Sequence, residues 1–341
     1  MRPNSHRDTL LGYLSTQQDT TGAERALPVD PQRLQHPAVL VLVDAAADLP
    51  RSVAADPALR VLPLGVRLRG RKLSAPHADR RRALQRLDAS TLRQARLEWP
   101  DADELAWRLH PNLALNGDVL IVLGNALGDP GTALHRMLGT HDAEIRELRS
   151  SRGLSEVLQV VRVDTGGGFA VPALHAAALL RAKARGADAQ ALTRLAEALP
   201  ARTRHWLLPR TPRHFASTLR ACDDPRLQAW REACARAPWW SGYPVLVGDP
   251  DGLRCAVRVR RWDAALATAC GAVAQALRPG AQLLLSADAS VTEFAALPPV
   301  AALRARAASL GVRMHATHLS AASRIRAGAG VVSLALLDQP A

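Results

Sequence analysis

A chain of 341 residues, 48% of them apolar, has the length for two domains and the side chains to fill their cores. Lys plus Arg exceed Asp plus Glu by 13, yet Lys72 and Lys183 are the only lysines, and the arginines run through the whole chain among alanines without an RNA- or DNA-binding signature. No nucleic-acid partner is expected, and no transmembrane segment either, since no apolar run approaches the ~20 residues a membrane helix needs. The four cysteines share no CxxC spacing and nothing at the N-terminus resembles a secretion signal, so the reading is a reduced, cytoplasmic protein with at most transient contact with a membrane surface.

Residues 1–36 are polar and Pro-containing around one apolar knot, Leu10-Leu11-Gly12-Tyr13-Leu14, and read as a loosely structured N-terminal extension. The first domain, 37–168, opens on Val39-Leu-Val-Leu-Val43. Five apolar residues without polar alternation describe a strand buried on both faces, as in a parallel sheet. The strand stops at Asp44, where such sheets open onto a ligand crevice, and Asp48 is placed to cap a helix begun by Pro50. Residues 60–68 read as one extended segment, kept to a sheet edge by Pro63 and Gly65, with 69–72 as its turn. Helical pattern follows over 79–92 and again from Asp101.

The second buried strand is Val119 to Leu123, leading through the small-residue loop Gly124-Asn125-Ala126-Leu127-Gly128-Asp129 to a helix over 133–138. A third, 157–163, ends at Asp164-Thr-Gly-Gly-Gly168 and is followed by an alanine-rich helix over 171–185. Three strands, each ending in an Asp or Gly turn before a helix, predict a parallel sheet with helices on both faces. The second domain, 169–341, carries a helix over 188–199, a strand at 205–208, a basic tract over 202–236 with eight arginines against three acids, and a hairpin of 243–247 and 253–259 around Asp251-Gly252. Helices over 262–277 and 300–310 and strands at 282–285, 312–317 and 331–336 complete a second, mixed sheet, giving an α/β protein of two α/β domains.

In this order the motifs resemble those of the DegV family of bacterial fatty-acid-binding proteins. Its V-D-S-T-A-D-L-P strand end corresponds to Val43-Asp44-Ala45-Ala46-Ala47-Asp48-Leu49-Pro50, its P-L-x-V strand to Pro63-Leu64-Gly65-Val66, and its S-S-x-L-S-G-T turn to Gly124 through Pro130. The D-S strand end matches Asp164-Thr165, the K-P-I-L hairpin Tyr243-Pro244-Val245-Leu246, the K-V-R helix entry Arg258-Val259-Arg260, and the H-x-G-P-G loop Arg326-Ala327-Gly328-Ala329-Gly330. The resemblance implies a cleft between two α/β domains that holds a long-chain fatty acid or similar amphipathic anion, no cofactor, no enzymatic activity of its own, and a kinase partner to which the ligand carboxylate is presented. In the family a Thr, a Ser and a His hold that carboxylate. Here the family's T-S-Q-P loop corresponds to Leu97-Glu98-Trp99-Pro100, so Leu97 stands in a loop for the Thr, Gly128 beside Asp129 for the Ser, and Arg326 for the His, and the family's G-G-R-I segment is absent.

The expected binding set is therefore Arg326, Gly128, Asn125, Asp129, Leu97, Gly328 and Gly330. An arginine offers a fork of donors that holds a carboxylate without a hydroxyl partner; its competing fate is an internal pair with Asp129 or exposure to solvent. Asp164-Thr-Gly-Gly-Gly168 lacks the residues of a phosphate loop, His315 and His318 lack further metal ligands, and no serine sits in a nucleophile elbow, so neither a catalytic nor a metal residue is expected. Two other readings stand beside the carrier: a degenerate protein-interaction scaffold, and an enzyme acting on a small anionic substrate at a crevice formed by Asp44, Asn125 and Asp164.

Overall fold

The computed structural model describes residues 39–338 except 63, 70, 73–88, 107–108, 110–117, 125–129, 152, 221, 223, 236–241 and 289–290. The predicted extension 1–36, most of the predicted helix 79–92, Pro63 and the Asn125–Asp129 loop lie outside the described residues. Residues 37–341 form one compact unit.

Its first sheet joins β1 (Val39–Asp44), β2 (Leu59–Leu62), β6 (Val119–Gly124) and β7 (Gln159–Asp164) in the order β2-β1-β6-β7, all parallel. The run 39–44 is buried at every position, and that is why its sequence lacks alternation. Val39, Val41, Val43, Val119, Ile121 and Leu123 fill one face, while Leu40, Leu42, Leu120 and Val122 meet Leu105, Leu134, Met137 and Ile145 on the other. Helices thus cover both faces, as the sequence predicts.

The predicted single segment 60–68 is two strands in two sheets. β2 closes the edge of the parallel sheet, while β3 (Gly65–Leu68) pairs antiparallel with both β4 (Arg71–Lys72) and β5 (Ala95–Glu98). In sequence, Pro63 lies between the two strands and has no N–H to offer a ladder. Arg69, with φ 49°, belongs to the β3–β4 turn. Leu97, expected in a loop, lies on β5 opposite Val66. Helices α1 (Arg51–Ala54) and α2 (Ala89–Leu92) are single turns. The helix predicted over 133–138 is the first of two helical segments that together span Pro130–Ser151 (α3). The chain breaks from helical geometry at His141 (φ −114°, ψ 17°), shortly after Gly139, and the second segment is anchored by buried Ile145 and Arg149, the Arg149 Nη2 donating to Asp118 Oδ1 at 2.8 Å.

The second sheet has the order β10-β9-β8-β13-β11-β12, from β8 (Thr203–Leu208), the hairpin β9 (Tyr243–Asp249) and β10 (Gly252–Val259), β11 (Gln282–Ala287), β12 (Arg313–His318) and β13 (Val332–Leu337). β11 and β12 are parallel and the remaining pairs antiparallel, a mixed sheet. Between the two sheets runs α4 (Ala170–Ala184), buried at twelve of its fifteen positions: Ala170 to Leu180 continuously, and Ala182. Its alanines let Val41 and Ile121 on one side and Leu284, Ala335 and Leu337 on the other share one core. α5 (Ala189–Ala198) follows, with Asp188 Oδ1 accepting from Ala191 N at 2.7 Å. α6 (Pro212–Leu219) and α7 (Gln228–Ala235) place Phe215 and Trp230 in a core beside Phe169. α8 (Trp262–Ala276), α9 (Val291–Ala295) and α10 (Pro298–Ser309) cover the far face, and α11 (Ala321–Ala327) leads into β13.

Candidate functional site

The carboxyl end of β1 meets α11, and two buried carboxylates organise the junction. Asp44 turns the chain out of the strand: its Oδ1 accepts from Ala46 N at 2.9 Å, and its Oδ2 lies 3.4 Å from Nη1 of Arg326. Both side chains are buried. The acid that Arg326 meets is thus Asp44, 282 positions away, while Asp129 lies outside the described residues. The separation exceeds the ~2.7–2.9 Å of a fully engaged charge-assisted bond.

Asp48 does not cap a helix. Pro50 is the N-cap residue of α1, which has no side-chain cap. The Asp48 carboxylate instead reaches the second sheet: Ser286 Oγ donates to Oδ2 at 2.7 Å, and Ser320 N donates to Oδ1 at 2.7 Å. Ser323 Oγ lies 2.7 Å from Oδ1 and 2.8 Å from Ala46 O. Burial raises the Asp48 carboxyl from 3.8 to about 6 against the opposing pull of these hydrogen bonds. Thr317 Oγ1 donates to Leu49 O at 3.2 Å, so the whole 44–50 turn is tied to β11, β12 and α11. Ser320 also caps α11, its side chain accepting from Ser323 N. The pair of serines three apart, Ser320 and Ser323, is the one sequence signal that could have pointed to this node.

The end of α11 and the Gly328–Gly330 turn behind it are held by Asp288, whose Oδ1 lies 2.5 Å from Arg324 Nε and whose Oδ2 accepts from Gly330 N at 2.9 Å. His214 Nε2 donates to Ile325 O at 2.8 Å, and Thr211 Oγ1 to Ala327 O at 3.3 Å. Gly328 has φ 83° and Gly330 φ 75°, backbone that favours glycine. Leu97 packs where Ala46, Leu64 and Ala322 meet, and also against the neighbouring cluster of Val66, Leu92 and Ile325. The fold thus gathers Leu97 and α11, which carries Arg326 and leads into Gly328 and Gly330, at the end of β1; Asn125, Gly128 and Asp129 are outside the described residues.

The remaining strand-end acid is committed elsewhere. Asp164 is exposed and pairs with Arg226 at 2.5 Å, while Thr165 Oγ1 donates to Gly124 O at 2.7 Å. Among the described residues no group of three or more His, Cys, Asp or Glu could hold a metal, and no helix is long and apolar enough to cross a membrane.

No protein-family profile matches the sequence, and no curated protein matches it. Solved structures do. A DegV-family protein from Ruminococcus gnavus ATCC 29149, described with vaccenic acid, matches with a TM-score of 0.63 at 14% identity, covering 87% of this chain and 99% of that one. DegV of Bacillus subtilis, described as a fatty-acid-binding protein, gives 0.63 at 13% identity over 89% of this chain and 100% of its own. A DegV-family protein from Eubacterium eligens loaded with heptadecanoic acid gives 0.62 at 12% over 89% and 100%. The chain has the DegV fold.

Proposed function

We propose that this chain, with its DegV fold, is a non-enzymatic binding protein for a long-chain fatty acid or another amphipathic anion. The observation that carries the reading is the end-to-end correspondence: structural neighbours match over 99–100% of their own length, and they are described as binding or carrying fatty acids. An apolar chain would be held by burial at roughly 0.8 kcal/mol per methylene, with one polar end fixing its orientation.

The head-group position we assign to Arg326 and the glycine turn behind it. In support, its guanidinium is buried, and its contact with Asp44, through one nitrogen at 3.4 Å, is longer than a fully engaged charge-assisted bond. Leu97 offers apolar wall, and Asn125, Gly128 and Asp129 would close the same end in this reading. The division into domains 37–168 and 169–341, with the ligand between them, belongs to the same proposal. So does presentation of the bound carboxylate to a kinase, the protein itself supplying no catalytic residue and needing no cofactor.

Native mass spectrometry of protein purified from cells tests the carrier, and fatty-acid titration tests the head group. Arg326→Ala should weaken binding roughly ten- to a hundred-fold, the worth of one charge-assisted contact. The same substitution removes the guanidinium beside the buried Asp44, so the melting temperature is read alongside, with Arg326→Lys retaining the charge. A wild type that binds no acyl chain refutes the carrier. Unchanged affinity in Arg326→Ala refutes the head-group role alone.

A further inference from the structure

Four basic side chains gather at the other end of β12 with no acid among them. Arg181 and Arg185 stand one helical turn apart, Arg181 in the last turn of α4 and Arg185 as its C-cap residue. That helix lies on the face of the second sheet which carries Leu284, Ala335 and Leu337. β12 runs parallel to β11 with Arg313 opposite Gln282 and His315 opposite Leu284. Strand side chains alternate in direction, so Arg313 and His315 share the Leu284 face and look toward α4. Arg185 and Arg313 are exposed, while Arg181 and His315 are half-buried.

The cluster is electrostatically unfinished. Burial lowers the pKa of Arg181, and the charges of Arg313 and Arg185 lower it further. His315 is held down by burial and then by Arg181 and Arg313, so the groups lie within range of one another's fields. Arg181 Nη2 and His315 Nε2 are sealed from solvent and have no hydrogen-bond partner among the described residues. Among the described residues no carboxylate pairs with Arg181, Arg185 or Arg313, whereas Arg149, Arg226, Arg254 and Arg324 each have one. The negative end of the α4 dipole suits cations in its last turn. It gives no acceptor to the sealed nitrogens and does not account for Arg313 and His315, which come from another element.

We propose that this corner binds a phosphate-bearing anion, received by the exposed guanidiniums of Arg185 and Arg313 and completed by Arg181 and His315. Three permanent positive charges exceed what a single carboxylate balances, and guanidinium forks match the paired oxygens of a phosphate. The site is separate from the Arg326 end. Five residue steps of β12 divide Arg313 from His318, roughly 16 Å at strand spacing.

Calorimetric titration of the full chain with inorganic pyrophosphate at fixed ionic strength tests the site. A second arm measures co-sedimentation with phosphatidylcholine vesicles with and without phosphatidic acid. Wild type should bind in at least one arm, and Arg313→Gln, a change at an exposed side chain, should weaken that binding roughly tenfold or more. Arg181→Gln should do at least as much, while Arg304→Gln, an exposed position on α10, should change little. Pyrophosphate binding without vesicle binding identifies a free anion; vesicle binding displaced by pyrophosphate identifies a lipid head group. Absence of binding in both arms, or equal weakening by all three variants, overturns the proposal.

Discussion

Asp48→Asn separates the cost of a buried charge from the value of its hydrogen bonds. The carboxylate is 1% exposed and ties the 44–50 turn to Ser286, Ser320 and Ser323. Its carboxyl is raised from 3.8 to about 6, a difference of about 2 units, or about 3 kcal/mol at ~1.36 kcal/mol per unit. Because the folded-state value lies above the unfolded one, the fold carries this penalty above pH 6. It is relieved as pH falls, since the native state takes up the proton before the unfolded chain does. Relative to Asp48→Asn, the wild type should therefore gain up to about 3 kcal/mol between about pH 7.5 and about pH 4. Urea denaturation midpoints across that range, with the two proteins in parallel, cancel the titration of all other groups. Parallel stability curves would refute the argument. So would a wild type that loses ground to Asp48→Asn on acidification, because the hydrogen bonds would then outweigh desolvation.

Two glycine substitutions test the packing. A Cβ on Gly248 would lie 2.1 Å from Cε1 of His205, a buried imidazole also hemmed by Gly167 and set edge-on to Trp230 at 5.2 Å. Gly248→Ala should lower stability by about 3 kcal/mol, the upper range for overpacking; Gly271→Ala, in α8 with nothing within 4 Å, serves as the control and should raise it by about 0.5–1 kcal/mol. Equal melting temperatures for the two variants would count against the slot around His205. At Gly328, φ is 83° and a Cβ would lie 2.1 Å from Thr211 Oγ1, so Gly328→Ala should cost about 1–3 kcal/mol by thermal melting and disturb the Thr211–Ala327 contact. A neutral outcome would mean that the loop accommodates the substitution.

Much of the fold is legible in the sequence because the two central strands of the parallel sheet, β1 and β6, are buried on both faces, whereas the edge strands β2 and β7 have exposed positions and β7, read from its sequence as a third buried strand, is not one. Val39–Val43 and Val119–Leu123 carry no polar residue, and burial of that kind leaves a continuous apolar run that needs no knowledge of neighbours. The Asp-Gly turn places the β9–β10 hairpin equally locally. Where local signals conflict, the reading fails. The local pattern shows the helix over 133–138 but not the second helical segment after His141, which the burial of Ile145 and Arg149 against distant residues fixes. Glu98-Trp99-Pro100 suggests a loop, but pairing with β3 draws Leu97 into a strand.

At the junction, the identity of Arg326 and of the two glycines after it is plain in the sequence, and so is the capacity of that side chain for an anion. Its partner is not. Asp44 and Arg326 are 282 positions apart, and Asp48 and Ser320 are 272 apart. By itself the sequence determined what depends on neighbours along the chain: strands, turns, helix starts and the stock of charged groups. Tertiary structure alone decided which charges meet, because α4 brings the two sheets onto its opposite sides and so sets β1 against α11 and Arg181 beside Arg313. A buried polar group takes whichever complementary group the packing delivers to it, and no periodicity of the chain encodes that delivery.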